Sequence, residues 1–473
     1  MIKMNLWLLL SFCSLVCLGQ QRHTQELDSL FTMLCAQNQF NGSVLIAEKG
    51  KVIFEKGYGY RNEQSKALNN GQTIFELASC SKQFTATAIV LLKREGKLRY
   101  EDPVTQYLPE LRSWSNVTIA DLLRHTSGIP EYLADMEGNS DSTTIVTNDE
   151  VIRFYAQRQD TLQFIPKSRH RYCNTNYVLL ASIVARVSGQ SFAAFLQQRI
   201  FKPLHMDHTF IYNRRQQPRK IKHLATGYSW AKGSFRKALS EQPEVGLFMV
   251  RQFDGVVGTA KVNSSVEDIY KWMVALKSNT LLTQKEFEEM TEVTQTSTGR
   301  NLDYGFGFML SKGENRFSFG HNGSWDGFAS LIFHNMLKDR TVIILQNFKL
   351  GAFPYNNIVQ ILEDKPIEQE FHKKITLPAA SLQQYAGVYQ TNDSTAGAEA
   401  HLISYLEGHL VYNTTNIPWD MRFFPISATT FQGIRQASSD SYIQFTLLPN
   451  GDMQLQLLQG GQVIDSGIRR KQI

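Results

Sequence analysis

The sequence predicts an α/β (α+β) protein: an antiparallel sheet flanked by helices, with a helical insertion, followed by a separate all-β domain. Three observations predict this. Strand-like segments occupy residues 43–60, helical periodicity dominates residues 79–198, and strands return between 304 and 347. That order places both ends of the segment in one sheet. From residue 376 the chain is strand-rich, which predicts a small barrel or sandwich over 376–473.

The elements follow in order. The opening MIKMNLWLLLSFCSLVCLGQQ carries one lysine before an apolar run that is short for a bilayer span. Small residues Cys17 and Gly19 follow near a cleavage point, so residues 1–19 read as a secretory signal peptide. Val16 before Cys17 is a poor match to a lipoprotein attachment site. SVLIAE and KVIFEKGYGY flank Lys49-Gly50, a hairpin signal. A helix is expected over 79–95, with Phe84, Ala88, Leu91 and Leu92 at helical spacing and Gly96 as its stop. Thr118–Arg124 reads as a short capped helix ended by His125-Thr126-Ser127-Gly128. Residues 175–198 read as two helices broken at Gly189. Strands are expected near 304–310, 316–320, 327–334 and 341–347. Pro366 and Pro378 flank a polar stretch that closes a domain over 20–365. Beyond it, Met453, Leu455 and Leu457 alternate with Gln454 and Gln456 after the tight-turn pair Asn450-Gly451.

Composition bounds the function. With 473 residues, 42% of them hydrophobic, the chain can bury a large core and hold two domains. The net charge of +6 falls to 6 − 1 = +5 once Lys3 leaves with the leader. The basic residues are scattered, so no nucleic-acid partner is expected. Five cysteines shrink to Cys35, Cys80 and Cys173, too few for a disulfide framework. No Cys-x-x-Cys or His-Glu-x-x-His occurs, and His205-Met206-Asp207-His208 reads as a loop after a helix. No metal or cofactor is expected, and no segment after the leader is long and apolar enough to span a membrane.

Three constellations carry chemistry. Ser79-Cys80-Ser81-Lys82 opens an apolar helix, so Ser79 and Lys82 at i and i+3 share a face. An amine there can take the proton a serine nucleophile must lose. The helix start favours developing negative charge. Ser-x-x-Lys recurs at Ser229/Lys232 and Ser234/Lys237, but without an apolar stripe. Tyr172-Cys173-Asn174 puts a phenol and an amide at i and i+2 of an extended segment. A tyrosine can relay a proton if cations lower its pKa, and an amide can orient a carbonyl. Tyr-x-Asn also starts at Tyr60 and Tyr355, so the spacing alone is common. Gly320-His321-Asn322-Gly323-Ser324 lies on an expected edge strand, and its glycine permits close backbone approach.

In this order the three motifs resemble those of the serine β-lactamase and penicillin-binding-protein superfamily, in its class C and D-alanyl-D-alanine carboxypeptidase-like branch. FELASCSKQFTA, VTIADLLRHTSGIPEY, RYCNTNYVLLASIVARVSG, VVGTAKVNSSVEDIYKW and YGFGF…FGHNGSWDGFAS carry the resemblance across roughly residues 40–347. YAGVYQ at 385–390 is similar to the lipocalin-like domain appended to some members. The resemblance implies a β-lactamase/transpeptidase-like fold. It makes Ser79 the acyl-accepting nucleophile, Lys82 its proton acceptor coupled to Tyr172, and Asn174 the group that binds the substrate's carbonyl side. It implies an oxyanion hole from the backbone N–H groups of Ser79 and Ser324. It places His321 where lactamases carry lysine, and makes His125 a loop-holding residue.

Three departures bear on substrate. Asn322 replaces the hydroxyl residue frequent between His or Lys and Gly, Lys167 follows Pro166 where Gly is common, and Cys173 stands where Ser or Ala is frequent. Asn322 weakens the expected grip on a substrate carboxylate. Lys167, Arg169, His170 and Arg171 just before Tyr172 are either a replacement anion site or a solvated loop. The sequence therefore reads as a secreted or periplasmic serine hydrolase acting through a Ser79 acyl-enzyme on a small-molecule or peptide substrate. D-amino-acid peptides come first, in carboxypeptidase-like fashion. Small esters or weak β-lactam hydrolysis are the alternative, and a non-catalytic binding protein on the same fold is the alternative of another class.

Overall fold

The computed structural model describes residues 20–137, 144–231, 237–242, 245, 248–313, 316–349, 351–366, 374–391, 400–413, 421–433, 441–459 and 461–471. The leader expected at 1–19 lies outside them, as do Lys232 and Ser234 of the two further Ser-x-x-Lys copies. The chain forms two compact units. One comprises residues 42–228 and 239–349; the other comprises residues up to 41, 229–238 and 350–473.

The first unit is built on a six-stranded antiparallel sheet. Its strands are β1 (Gly42–Glu48), β2 (Lys51–Tyr58), β3 (Met309–Gly313), β4 (Arg316–Trp325), β5 (Phe328–Asn335) and β6 (Arg340–Gln346). The sheet order is β3-β4-β5-β6-β1-β2, so both ends of the unit meet where β1 pairs with β6. Lys49 (φ 49°) and Gly50 (φ 74°) make the β1–β2 turn, the left-handed pair a tight hairpin requires. Helices α1 (Lys82–Arg94), α2 (Ile119–Leu123), α3 (Asn174–Ser188), α4 (Phe192–Leu196) and α5 (Val266–Lys277) supply the other elements used below. Thr118 and Asp121 close a capping box on α2, and Gly189 (φ 68°) ends α3.

Helix α1 is buried from Lys82 to Leu92. Phe84 stacks at 4.5 Å on Trp272 of α5, and Trp272 Nε1 donates to Gln83 Oε1 at 3.0 Å. A fully buried side chain of this size is worth about 1.5–3 kcal/mol. The helix that carries the nucleophile's turn is thereby fixed by core packing.

Two strand expectations shift. The strand placed at 304–310 begins only at Met309, because Gly305 N bonds Phe308 O and turns the chain first. β4 runs on from residue 320 to Trp325 and is not an edge strand, since β3 lies outside it. The pairing with β3 stops at Gly320, however, and His321–Trp325 overhang it while still pairing with β5.

In the second unit a closed eight-stranded barrel runs β7 (Gly387–Thr391), β8 (Ala400–Leu406), β9 (His409–Asn413), β10 (Met421–Pro425), β11 (Thr430–Gly433), β12 (Ser441–Leu447), β13 (Met453–Gln459) and β14 (Gln462–Arg469). Tyr389, Tyr412, Phe423, Phe431 and Phe445 are among the side chains that fill its core. Eight strands enclose just enough space for side chains to fill. Among the described residues no single helix is long and apolar enough to cross a membrane.

Candidate active site

Ser79 lies in a 3₁₀ turn, Ala78–Ser81, that leads into α1. The residue before it, Ala78, holds φ 48°, a left-handed conformation costly for a residue with a Cβ. Gly323 of β4 packs against this turn. A Cβ at 323 would stand 2.5 Å from Leu77 O and 2.9 Å from Ser79 N. Only glycine lets the overhanging strand come this close. Cys80 Sγ donates to His321 O at 3.1 Å, and Ser330 Oγ to Leu77 O at 2.7 Å, pinning turn to strand.

Lys82 is fully buried. Its Nζ lies 3.1 Å from Ser79 Oγ, 2.9 Å from Asn174 Oδ1 and 3.1 Å from Thr259 O. Burial holds its pKa down at about 7, with the Glu131 carboxylate pulling the other way. Near neutrality the amine therefore exists substantially uncharged. A neutral amine keeps two N–H donors for Asn174 Oδ1 and Thr259 O, and its lone pair faces the Ser79 hydroxyl. That geometry can accept the serine proton. Cys80, next to Ser79, is no rival nucleophile: burial pushes its thiol up to about 12. Cys35, Cys80 and Cys173 are all free thiols.

Tyr172 and Asn174 come from the start of α3. Tyr172 is 38% exposed, its phenol interacts with the Ser79 side chain, and its ring lies 4.9 Å from Lys82 Nζ. The sequence allowed for cations lowering the phenol's pKa. The outcome is opposite: desolvation raises it, so the phenol keeps its proton at neutral pH. It can donate a proton but is no phenolate base. His125 stacks on Tyr172 at 4.4 Å, and its Nδ1 accepts from Cys173 N at 3.1 Å. It is buried and held neutral, first by desolvation and then by Lys82.

Asn174 Oδ1 accepts from Lys82 and, at 2.6 Å, from Thr259 Oγ1. Its backbone N and Nδ2 both donate to Glu131 Oε2, at 2.7 and 3.1 Å. One of the two amide hydrogens remains for a substrate carbonyl. Glu131 and Thr259 were missed in the sequence as individual residues. Both lie within stretches the resemblance had marked, HTSGIPEY and VVGTAK, which was the signal that could have found them.

His321 lies beside the cluster but is spoken for. It is buried, Nδ1 meets Asn322 O at 2.5 Å and Nε2 meets Tyr304 OH at 3.0 Å. Burial, with Lys82 nearby, lowers its pKa to about 3. It is a neutral residue at the position where lactamases carry lysine. Ser324 lines the mouth with Ser79, Tyr132, Phe253, Lys261 and Trp325, around a cavity of about 90 Å³. Ser229 of the second Ser-x-x-Lys is buried and belongs to the other unit.

The Beta-lactamase family pattern matches residues 27–362 of this chain. The chain belongs to the beta-lactamase family. Among its relatives, penicillin-binding protein 4* of Bacillus subtilis (strain 168) is 32% identical over 437 residues, covering 90% of this chain and 95% of the relative. The octameric penicillin-binding protein homologue from Pyrococcus abyssi superposes with a TM-score of 0.63 at 24% identity, over 94% of this chain and 99% of its own. D-amino acid amidase from Ochrobactrum anthropi SV3 gives 0.59 at 23% identity, over 72% and 97%. These two likenesses are of fold. As a member of the beta-lactamase family the chain is a serine hydrolase.

Proposed function

We propose that this serine hydrolase is exported and cleaves D-amino-acid peptides or amides through a Ser79 acyl-enzyme. The observation that carries the mechanism is the neutralisable Lys82 amine 3.1 Å from Ser79 Oγ. Ser79 Oγ attacks the carbonyl while Lys82 takes its proton. In this proposal the backbone N–H groups of Ser79 and Ser324 stabilise the developing oxyanion, and the close packing of Gly323 against Ser79 N supports that pairing of turn and strand. The proton taken by Lys82 then passes to the leaving group, relayed by the Tyr172 hydroxyl, which gives one proton as it receives another and ends neutral. Water then hydrolyses the ester by the reverse roles. The likeness to penicillin-binding protein 4* and to D-amino acid amidase supports this substrate class. Residues 20–365 form the catalytic domain in this proposal, and 376–473 an accessory barrel.

His321 and Asn322 favour a second reading, small esters. Neither residue supplies the cation that grips a β-lactam's carboxylate. Side-by-side kcat/KM values decide the order. A p-nitrophenyl ester and a D-alanyl peptide are expected to exceed nitrocefin. Nitrocefin ahead by about tenfold or more, about 1.4 kcal/mol in transition-state stabilisation, would overturn the role given to His321 and Asn322.

The pH profile follows from Lys82. Below about 7 the amine is protonated and has no lone pair; above it the base is free. Thus kcat/KM on a neutral ester should rise with pH through about 7 and then level. A first inflection at the ordinary lysine value would contradict Lys82 as the base.

A further inference from the structure

One stretch that the sequence singled out has no role in the chemistry above. Lys167, Arg169, His170 and Arg171 lead directly into Tyr172 and are all exposed. Their backbone is fixed: Lys167 N donates to Thr126 O and Arg171 N to His125 O, each at 2.9 Å. From the other side Ser297 N donates to Lys167 O at 2.8 Å and Thr298 Oγ1 to Ser168 O at 3.3 Å. That second segment brings Arg300, which His170 feels together with Asp303.

The cations here are held by neutral groups. Arg171 Nη1 donates to the Gln163 side-chain oxygen. Arg169 Nη2 donates to Gln163 O at 3.3 Å, and its guanidinium lies 4.6 Å from the Phe164 ring centre. Elsewhere in this unit arginines meet carboxylates, as Arg94 does Glu286, Arg186 Glu110 and Arg215 Asp326. Within 163–171 and 296–303 the single acid is Asp303. Lys167, Arg169, Arg171 and Arg300 therefore face solvent with one carboxylate in the same two segments. The rim adjoins Tyr172, His170 lies 6.0 Å from His125 ring to ring, and His125 in turn stacks on Tyr172.

We infer that this rim selects substrates carrying an anionic group, carboxylate or phosphate, beyond the scissile bond, replacing the charge that position 321 does not supply. The inference rests on the acyl-enzyme reading of Ser79 and adds the charge of its substrate. Guanidinium groups with no ion pair among the described residues, carried on the segment that ends at Tyr172, raise the local concentration of anions and offer bidentate bonds to them.

The test uses p-nitrophenyl monoesters of succinic, adipic and suberic acid against the same esters with the far carboxyl capped as its methyl ester. The acid-to-capped ratio of kcat/KM reads the rim. At low ionic strength it should exceed one by about 3–10-fold for at least one chain length, and fall toward one in high salt. Arg169→Gln/Arg171→Gln should abolish the preference. Lys51→Gln/Lys56→Gln should keep it, with the same change in net charge on β2, four strand spacings or about 19 Å from β4. A ratio at or below one at every length overturns the inference while leaving the hydrolase reading intact, and so does a ratio unmoved by the arginine substitutions. If no ester is turned over, both fall. If the double variant does not fold, a salt-insensitive ratio in the native chain overturns the rim alone. A ratio of hydrogen-phosphate to carboxylate esters of matched length then separates the two anions.

Discussion

Ser79→Ala is expected to lower turnover of ester or peptide by about 10⁴–10⁶-fold with the fold retained. No other group in the site can take its place. Cys80 is adjacent, but its thiol is held up at about 12 and engaged with His321 O. Tyr172 keeps its proton, and Lys82, without Ser79, has no acyl acceptor to activate. The alanine adds no volume to a turn whose φ is already set by Ala78. Unchanged circular dichroism and urea midpoint with near-zero turnover is the expected pair of results. Residual activity within about tenfold of the native chain would mean that another residue carries the chemistry.

Asp326→Ala should be the most damaging single change to stability described here, at about 3–5 kcal/mol. Asp326 sits in the β4–β5 turn with its side chain fully buried. It accepts from Arg215 Nη1 at 2.6 Å, Arg215 Nη2 at 2.8 Å and Ser240 Oγ at 2.7 Å, with Arg214 Nε at 3.8 Å. Burial opposes its ionisation, but Arg215 and Arg214 prevail and hold the carboxyl below its usual range. The cluster continues through Asp254 to Lys261, whose Nζ lies 2.9 Å from Asp254 Oδ1 and 3.5 Å from Glu76 Oε1. Asp326 is the carboxylate that both Arg215 and Arg214 face, so removing it leaves buried guanidinium charge undercompensated. Replacing both partners, Asp326→Leu with Arg215→Met, should recover part of the loss, because the closest pair leaves together while Arg214 still loses its carboxylate. Urea unfolding of the three variants checks this. A loss below about 1 kcal/mol for Asp326→Ala, or a double variant worse than the single, would contradict the reading.

These two residues mark the divide between what the chain spells out and what only folding creates. Ser79 and Lys82 were legible because i and i+3 spacing is local, and so were the Lys49-Gly50 turn and the Thr118–Asp121 capping box. The barrel was legible from alternation in Met453–Leu457 and its neighbours. Asp326, Arg215, Asp254, Lys261 and Glu76 meet across as many as 250 positions, and no spacing rule joins them. Lys82's lowered pKa was not legible either, because it comes from burial by elements folded around it. The same holds for Tyr172, where desolvation outweighed any nearby cation. His321 was legible as the position where lactamases carry lysine, while its hydrogen bonds to Tyr304 and Asn322 required the strand and loop to be placed. The shift of the 304–310 strand had a local cause, the Gly305–Phe308 turn, which apolar patterning alone overrode.

The central claim is that Ser79 forms the covalent intermediate, and labelling tests it most directly. The native protein is incubated with a fluorophosphonate, or with a fluorescent penicillin as a slow acyl donor, digested, and mapped by mass spectrometry. One adduct is expected, on the peptide containing Ser79, formed faster as pH rises through about 7 in step with Lys82. It should be absent from Ser79→Ala. An adduct on Ser229, Ser234 or Cys80, or undiminished labelling of the alanine variant, would contradict the account.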